Sequence, residues 1–344
     1  MEAKVYKTSN KQYPEKIRVS LGSAAILGLA RCVLDAQPTT AYLLTYNRSR
    51  CTANCAFCPQ ARESTGRADK LSRVTWPLYE TKGVIPSLRT AFKQEKIRRV
   101  CLQSLNYPNV VEDILSLVQE IKKHTDIPVS VSCQPLTKED IFNLAEAGVN
   151  RLGIPLDAST KTLFKKVKGV LDNGPYIWEE HLKSLKMATK VLGTHSVTTH
   201  LIVGLGETEE EVLHIMQWCV DNGIYPALFA FTPIPGTKMQ NHPRPPVSTY
   251  RRVQVAQYLI TNLITTYEEM KFEKGRLQHL NISEKQLGNI IQTGEPFTTK
   301  GCPDCNRPDY NEKPGGPIYN YPQEPNEKDL ENIKREIQPA LILS

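Results

Sequence analysis

From Thr39 onward the chain alternates between two apolar rhythms. Residues 39–47, Thr-Thr-Ala-Tyr-Leu-Leu-Thr-Tyr-Asn, carry the β-branched and aromatic content of a strand. Similar runs return at 97–103, 127–133, 149–157, 196–203 and 226–232. Between them apolar residues fall at helical spacing. Ile114, Leu115, Leu117, Val118 and Ile121 make one stripe within 112–123, and helices are also predicted from Thr137, over 177–192, from Thr208 and over 247–268. Thr137 with Asp140 reads as a capping box, with Leu136 placed to staple onto Ile141. Thr208 with Glu211 caps a helix whose stripe is Val212, Ile215, Met216 and Cys219, ending before Gly223. Cys219 is therefore expected in the core. Strand–helix alternation at this rhythm predicts an α/β fold with a parallel sheet, and six units predict a complete or partial parallel (β/α) barrel.

Two flanking segments break the rhythm. A short helix beginning at Ser20 is expected to pack under the barrel, with Cys32 on its buried side. Residues 298–325 are rich in Pro and Gly and lack periodicity, so they should be irregular and pinned by something other than a core. The division expected is an extension over 1–38, a barrel over 39–295 and a cysteine-containing tail over 296–344.

Composition narrows the class. With 344 residues, 40% hydrophobic and 23% charged, the chain is globular rather than disordered. No uncharged apolar run is long enough to cross a bilayer, and the first residues lack the apolar core of a secretory signal. Nine cysteines in metal-like spacings point to a reducing, cytoplasmic setting. A formal charge of +7 is a mild excess that suits an acidic partner, but no basic block with interleaved aromatics supports nucleic-acid binding.

The cysteines carry the chemistry. Cys51, Cys55 and Cys58 stand at C-x3-C-x2-C spacing just after the first strand, at the end where parallel α/β barrels place active sites. Three thiolates on a four-iron cube leave one iron without a protein ligand, free to bind a small molecule by its amino and carboxylate groups. A zinc loop is the alternative, although zinc sites more often use C-x2-C pairs. Cys302 and Cys305 are such a pair. Cys101 alternates with Val100 and Leu102 and shares the polar face of Arg99 and Gln103. Cys133 has the parity of Ile127, Val129 and Val131, and needs a turn toward Pro135 to face inward. Cys101, Cys133, Cys302 and Cys305 are read as a four-thiolate site on the same rim as the first loop, with the tail as a lid. Ordinary buried thiols, a zinc half-site or a redox pair are the other readings, and spacing does not separate iron–sulfur from zinc.

C-x3-C-x2-C with Phe57 before the last cysteine resembles the signature of radical S-adenosylmethionine (SAM) enzymes. Over roughly 38–295 the resemblance is closest to biotin synthase. It implies a barrel of the radical SAM type, a SAM-binding [4Fe-4S] cluster on Cys51, Cys55 and Cys58, and SAM contacts from several strand ends. Gln103 and Ser104 stand where relatives hold the methionine amino group, and Asp157 where they hold the ribose, a helix N-cap being its other reading. Gly204 and Gly206 close the fifth strand, where they let backbone approach SAM, a tight turn being their other reading, and Ile234 lies in the Thr232–Lys238 segment that flanks adenine. Ser196, Thr198 and His200 are expected to face the lumen and line the ligand site at its substrate end, a satisfied core histidine being the other reading of His200. Departures from biotin synthase are Thr198, where a cluster cysteine is expected, His181, where a basic residue is expected, and a missing cluster arginine.

The tail, from Gly-Cys-Pro-Asp-Cys at 301–305 to Tyr321-Pro322, resembles instead that of the two-protein lipoyl synthases. That resemblance implies a second [4Fe-4S] cluster that gives up sulfur, and a substrate that is an octanoylated lipoyl-carrier protein or octanoyl-lysyl peptide. It also implies a second radical SAM subunit and an electron donor such as ferredoxin. Biotin synthase or another radical SAM sulfurtransferase is the alternative enzyme; a zinc-binding, non-catalytic partner protein is the alternative of another class.

Overall fold

The structure, a computed structural model, describes residues 13–308, 310, 312 and 315–337. Its main sheet holds eight strands: β1 (Lys16–Val19), β2 (Thr40–Thr45), β3 (Leu78–Glu80), β4 (Arg99–Gln103), β5 (Val129–Ser132), β6 (Val149–Gly153), β7 (Val197–Val203) and β8 (Ile224–Ala230). Strands β2, β4, β5, β6, β7 and β8 pair in parallel in that order, and β1 and then β3 add antiparallel beyond β2. The six parallel strands coincide with the six predicted runs, with one end displaced further than the rest. The fourth stops at Gly153 instead of Asp157, whose left-handed φ of 66° breaks the extended backbone.

Helices cover the outer face of the sheet as the apolar stripes require. In the helix Val110–His124, Ile114, Leu117, Val118 and Ile121 are buried. In Glu209–Asp221, Val212, Ile215, Met216 and Cys219 are buried, and both predicted capping boxes form. Each buried aliphatic side chain contributes about 1.5–3 kcal/mol. The first helix departs from expectation. It runs only over Leu21–Ile26, Gly28 takes a φ of 72°, and Cys32 is exposed rather than packed under the sheet.

Among the described residues no strand pairing joins β2 to β8, so the parallel run is a partial barrel with an open seam. The sheet curls enough that one guanidinium, Arg307, lies 5.5 Å from the Tyr42 ring on β2 and 5.2 Å from the Phe229 ring on β8. The irregular tail fills this seam. At the N-terminal strand ends, the Thr39 and Thr40 hydroxyls donate to the Asp304 carbonyl and Arg99 Nε donates to the Pro303 carbonyl at 3.1 Å. Arg307 Nη2 then reaches Gln103 Oε1, at the far end of β4, at 2.7 Å, and Ser72 Oγ donates to the Tyr310 carbonyl. The tail thus enters from the mouth opposite the first cysteine loop. The lid expected on the C-terminal rim is a plug instead. Arg251, fully buried in the helix Val247–Thr261, anchors the returning chain by donating to the carbonyls of Ile318 and Tyr319 and pairing with Glu336 at 2.8 Å.

Candidate functional site

The loop after β2 is fixed by its own backbone. Cys58 N–H donates to the Cys55 carbonyl at 3.0 Å, Arg62 N–H to Ala53 at 2.9 Å, and Ala56 N–H to Val167 at 2.8 Å. Arg50 donates to the carbonyls of Pro59 and Gly66. Asn106 N–H donates to Cys51 Sγ at 3.1 Å. The loop is also keyed to Gly236, whose carbonyl accepts from Thr65 N–H and Ser64 Oγ. Gly236 has a φ of 82°, and a Cβ there would collide with the Gly66 backbone nitrogen. Gly236→Ala should therefore destabilise the protein by about 2 kcal/mol, read as a lower urea midpoint.

Cys51, Cys55 and Cys58 line a cavity of about 200 Å³ together with Phe57, Gln103, Ser104, Cys133, Asp157, His200 and Ile234. Leu44, Ile202 and Phe229 supply apolar wall. Burial pushes the Cys55 thiol well above its ordinary value, with Lys168 opposing it, and that of Cys58 up to about 12. Ser196 is not among the cavity residues, and Thr198 Oγ1 lies deeper, where a Cβ on Gly153 would stand 3.0 Å away. Gly204 and Gly206 do not line the cavity either. Both have positive φ, Gly204 N–H donates to Glu207 Oε1 at 2.5 Å, and a Cβ on Gly204 would meet Pro245 at 2.7 Å. The turn and that close approach both require glycine at Gly204.

The charged pair in the cavity was half hidden in the sequence. Asp157 is not a helix cap, since Thr160 caps the helix Lys161–Val167. Its carboxylate pairs at 2.7 Å with Lys168, which is buried, donates also to the Pro155 carbonyl, and lies 5.1 Å from the Tyr176 ring. Lys168 looks like one more lysine in Lys-Lys-Val-Lys at 165–168. Lys168, not His181, is the basic side chain that lines the cavity. His181 is fully buried against Phe164 and Tyr176, outside the cavity.

Burial, with Lys168 adding, pushes the His181 imidazole down to about 2. An unfolded chain would protonate it near its ordinary value of about 6.5. The unfolded state therefore binds the extra proton, and stability falls as pH drops below that value. The expected slope is about 1.4 kcal/mol per pH unit. Urea midpoints from pH 7 to 5 should show it, and His181→Phe should flatten that part of the profile.

The second group of thiols forms lower in the lumen, around the plug. Cys302 accepts from Ser130 Oγ at 3.3 Å, and Cys305 lies 3.4 Å from the Tyr42 hydroxyl. Cys101 is within electrostatic reach of both sulfurs and of Arg307, which offsets the burial that raises the Cys101 and Cys305 thiols. Cys133 is not part of this group. In the β4–β5 register Ser130 stands beside Cys101, and Cys133 comes three residues later, about 10 Å up the strand. Its thiol is buried at the wall of the upper cavity. Ser130 thus takes the lumen position that the four-thiolate reading gave to Cys133.

The residues suit the cofactors that such a thiol loop implies. Gln103 Nε2, Ser104 Oγ and Gln134 Nε2 are buried without hydrogen-bond partners, and all three residues line the upper cavity. These donors, together with three soft sulfurs, match an iron–sulfur cluster carrying a small polar ligand. Among the described residues no three His, Cys, Asp or Glu side chains converge on a point suited to a single metal ion. No helix of the described residues is long and apolar enough to cross a membrane.

Comparison with known proteins agrees with this geometry. A model of the Radical SAM superfamily matches residues 49–219. An uncharacterized protein of Methanocaldococcus jannaschii is 28% identical over 65% of this chain and 59% of its own length. Biotin synthase of Sulfurihydrogenibium sp. is 26% identical over 57% of this chain and 56% of its own length, and that of Persephonella marina 23% identical over 75% and 74%. The chain thus spans less than two thirds of the first two of these relatives. Among solved structures, methylornithine synthase superposes with a TM-score of 0.50 at 16% identity, over 64% of this chain and 62% of the other, a likeness of fold alone.

Proposed function

Because this chain is a biotin-synthase-like radical SAM protein, we propose that it is a sulfur-inserting enzyme, one subunit of a lipoyl synthase that acts on an octanoyl chain carried by a protein lysine. The observation that carries the reading is the gathering of Cys101, Cys302 and Cys305 in the lumen, below the cavity of Cys51, Cys55 and Cys58. In this reading Cys51, Cys55 and Cys58 hold the SAM cluster, and the three lower thiols hold a second cluster. When bound, these groups supply hydrogen abstraction from unactivated carbon and sulfur for its replacement.

The protein's own contribution is placement and exclusion of water. Gln103, Ser104 and Gln134 offer donors to a polar ligand, and the Asp157–Lys168 pair fixes charge beside it. Leu44, Ile202 and Phe229 offer an alkyl chain an apolar path, with Tyr310 of the plug completing the wall. A protein-bound substrate, a companion subunit and a ferredoxin-type donor belong to the same proposal.

Anaerobic incubation with SAM, reductant and octanoyl-lysyl peptide, with and without a companion subunit, tests the reading by product mass. Sulfur added to the peptide supports it. Sulfur added instead to dethiobiotin would favour biotin synthase, and zinc without sulfide would favour the non-catalytic partner. Cys302→Ser/Cys305→Ser should lower iron from about eight to about four per chain, as two four-iron clusters require. SAM cleavage should persist while sulfur transfer is lost.

A further inference from the structure

Between Lys168 and Tyr176 the chain makes a short excursion. Its two end residues line the upper cavity, yet Val170 and Leu171 at its tip are 66% and 67% exposed, and Ile177 just beyond is 50% exposed. This apolar tip is held rigidly. Gly174 N–H closes it onto the Gly169 carbonyl at 2.9 Å. Asn54 Nδ2 donates to the Asp172 carbonyl at 2.7 Å, Lys238 pairs with the Asp172 carboxylate at 2.6 Å, and Arg62 Nη2 donates to the Asn173 carbonyl at 3.1 Å. A loop pinned at three points that still presents two aliphatic side chains to solvent has the character of an interface.

Two further facts say what it fits. The excursion abuts the cysteine loop directly, since Ala56, next to Cys55, donates to Val167 at 2.8 Å. Exposed Lys165 and Lys166 form the last turn of the preceding helix, and Asp172, the acid of the excursion, is buried and paired with Lys238. Glu179, beyond Ile177, pairs with Lys161, and the helix that leads into the apolar tip carries only basic charge. We propose that Val170 and Leu171, flanked by Lys165 and Lys166, are the docking surface for a small acidic electron-transfer protein. The inference rests on the reductive chemistry of the radical SAM family and not on the identity of the final substrate. The donor is oxidised by one electron for each SAM cleaved to methionine and 5′-deoxyadenosine, the added hydrogen atom coming from substrate.

The test uses the full, cluster-loaded chain with a reduced low-potential ferredoxin as probe. Val170→Asp/Leu171→Asp should weaken ferredoxin binding by about tenfold or more, and ferredoxin-driven SAM cleavage should fall with it. Cleavage driven by dithionite, which needs no docking surface, should stay within about twofold of the wild type, because exposed substitutions away from a site perturb the fold little. Lys165→Glu/Lys166→Glu should weaken binding at low salt, with the difference shrinking at high salt; this pair stands in should the aspartate variant fail to fold. Unchanged ferredoxin binding in both variants overturns the proposal. So does a defect confined to an octanoylated carrier or a companion subunit, which would make those the occupants. A wild-type protein that cleaves no SAM even with dithionite would overturn the family chemistry instead.

Discussion

Cys55→Ala is expected to give a folded protein that cleaves no detectable SAM. Cys55 is the middle of three thiols on one short loop, and a cluster that keeps one iron open has no protein ligand to spare. The loop itself should survive. Its shape is set by the backbone bonds of Ala53, Ala56 and Cys58 and by Arg50, none of which uses the Cys55 sulfur. After anaerobic reconstitution, iron should fall by about four per chain, and the thermal midpoint of the metal-free protein should hardly move. Cys219→Ala is the control. That thiol is fully buried on a helix stripe, so its loss should lower stability by about 1 kcal/mol and leave SAM cleavage intact. A Cys55→Ala protein that retains SAM cleavage would remove the first cluster from the account.

Lys168→Met should be the most destabilising substitution in the upper cavity. It strips the buried Asp157 carboxylate of its cation and leaves the Pro155 carbonyl without that donor. Breaking a buried pair from one side costs about 3–5 kcal/mol, large against a total stability of about 5–15 kcal/mol. Asp157→Asn/Lys168→Met should recover much of the loss, because no lone charge remains. Urea denaturation of the two single variants and the double closes the cycle. If the double variant loses the sum of what the two single variants lose, the pair is not coupled. SAM affinity should fall in all three, as measured by binding to the loaded protein.

Much of this architecture could be read from apolar periodicity. The stripes at 112–123 and 208–222 each became a helix with the expected face buried, and all six parallel strands fell near their predicted runs. Local rules failed where long-range geometry decides. Parity alone gave the lower thiols correctly for Cys101 and warned against Cys133; the register then put Ser130 beside Cys101. The direction of the tail was invisible because Cys302 and Cys305 carry no sign of which mouth they enter. Lys168 was hidden for a different reason. A lysine among lysines reads as surface, and only the turn at Asp157, with its left-handed backbone, brings it inside. Among glycines, Gly204 has a close approach to Pro245 that its place in the sequence gives no sign of.

The filled seam has a bearing on how the protein matures. Every strand of the main sheet leaves the ribosome before residues 298–321 do, so the flank between Tyr42 and Phe229 stays uncovered while the barrel forms. Cys101 is then reachable from outside, and arrival of Cys302 and Cys305 completes the thiol set and shuts that route. If the lower thiols hold the proposed second cluster, its loading and the burial of its entrance become one event, and the cluster is then hard to replenish without loosening the plug.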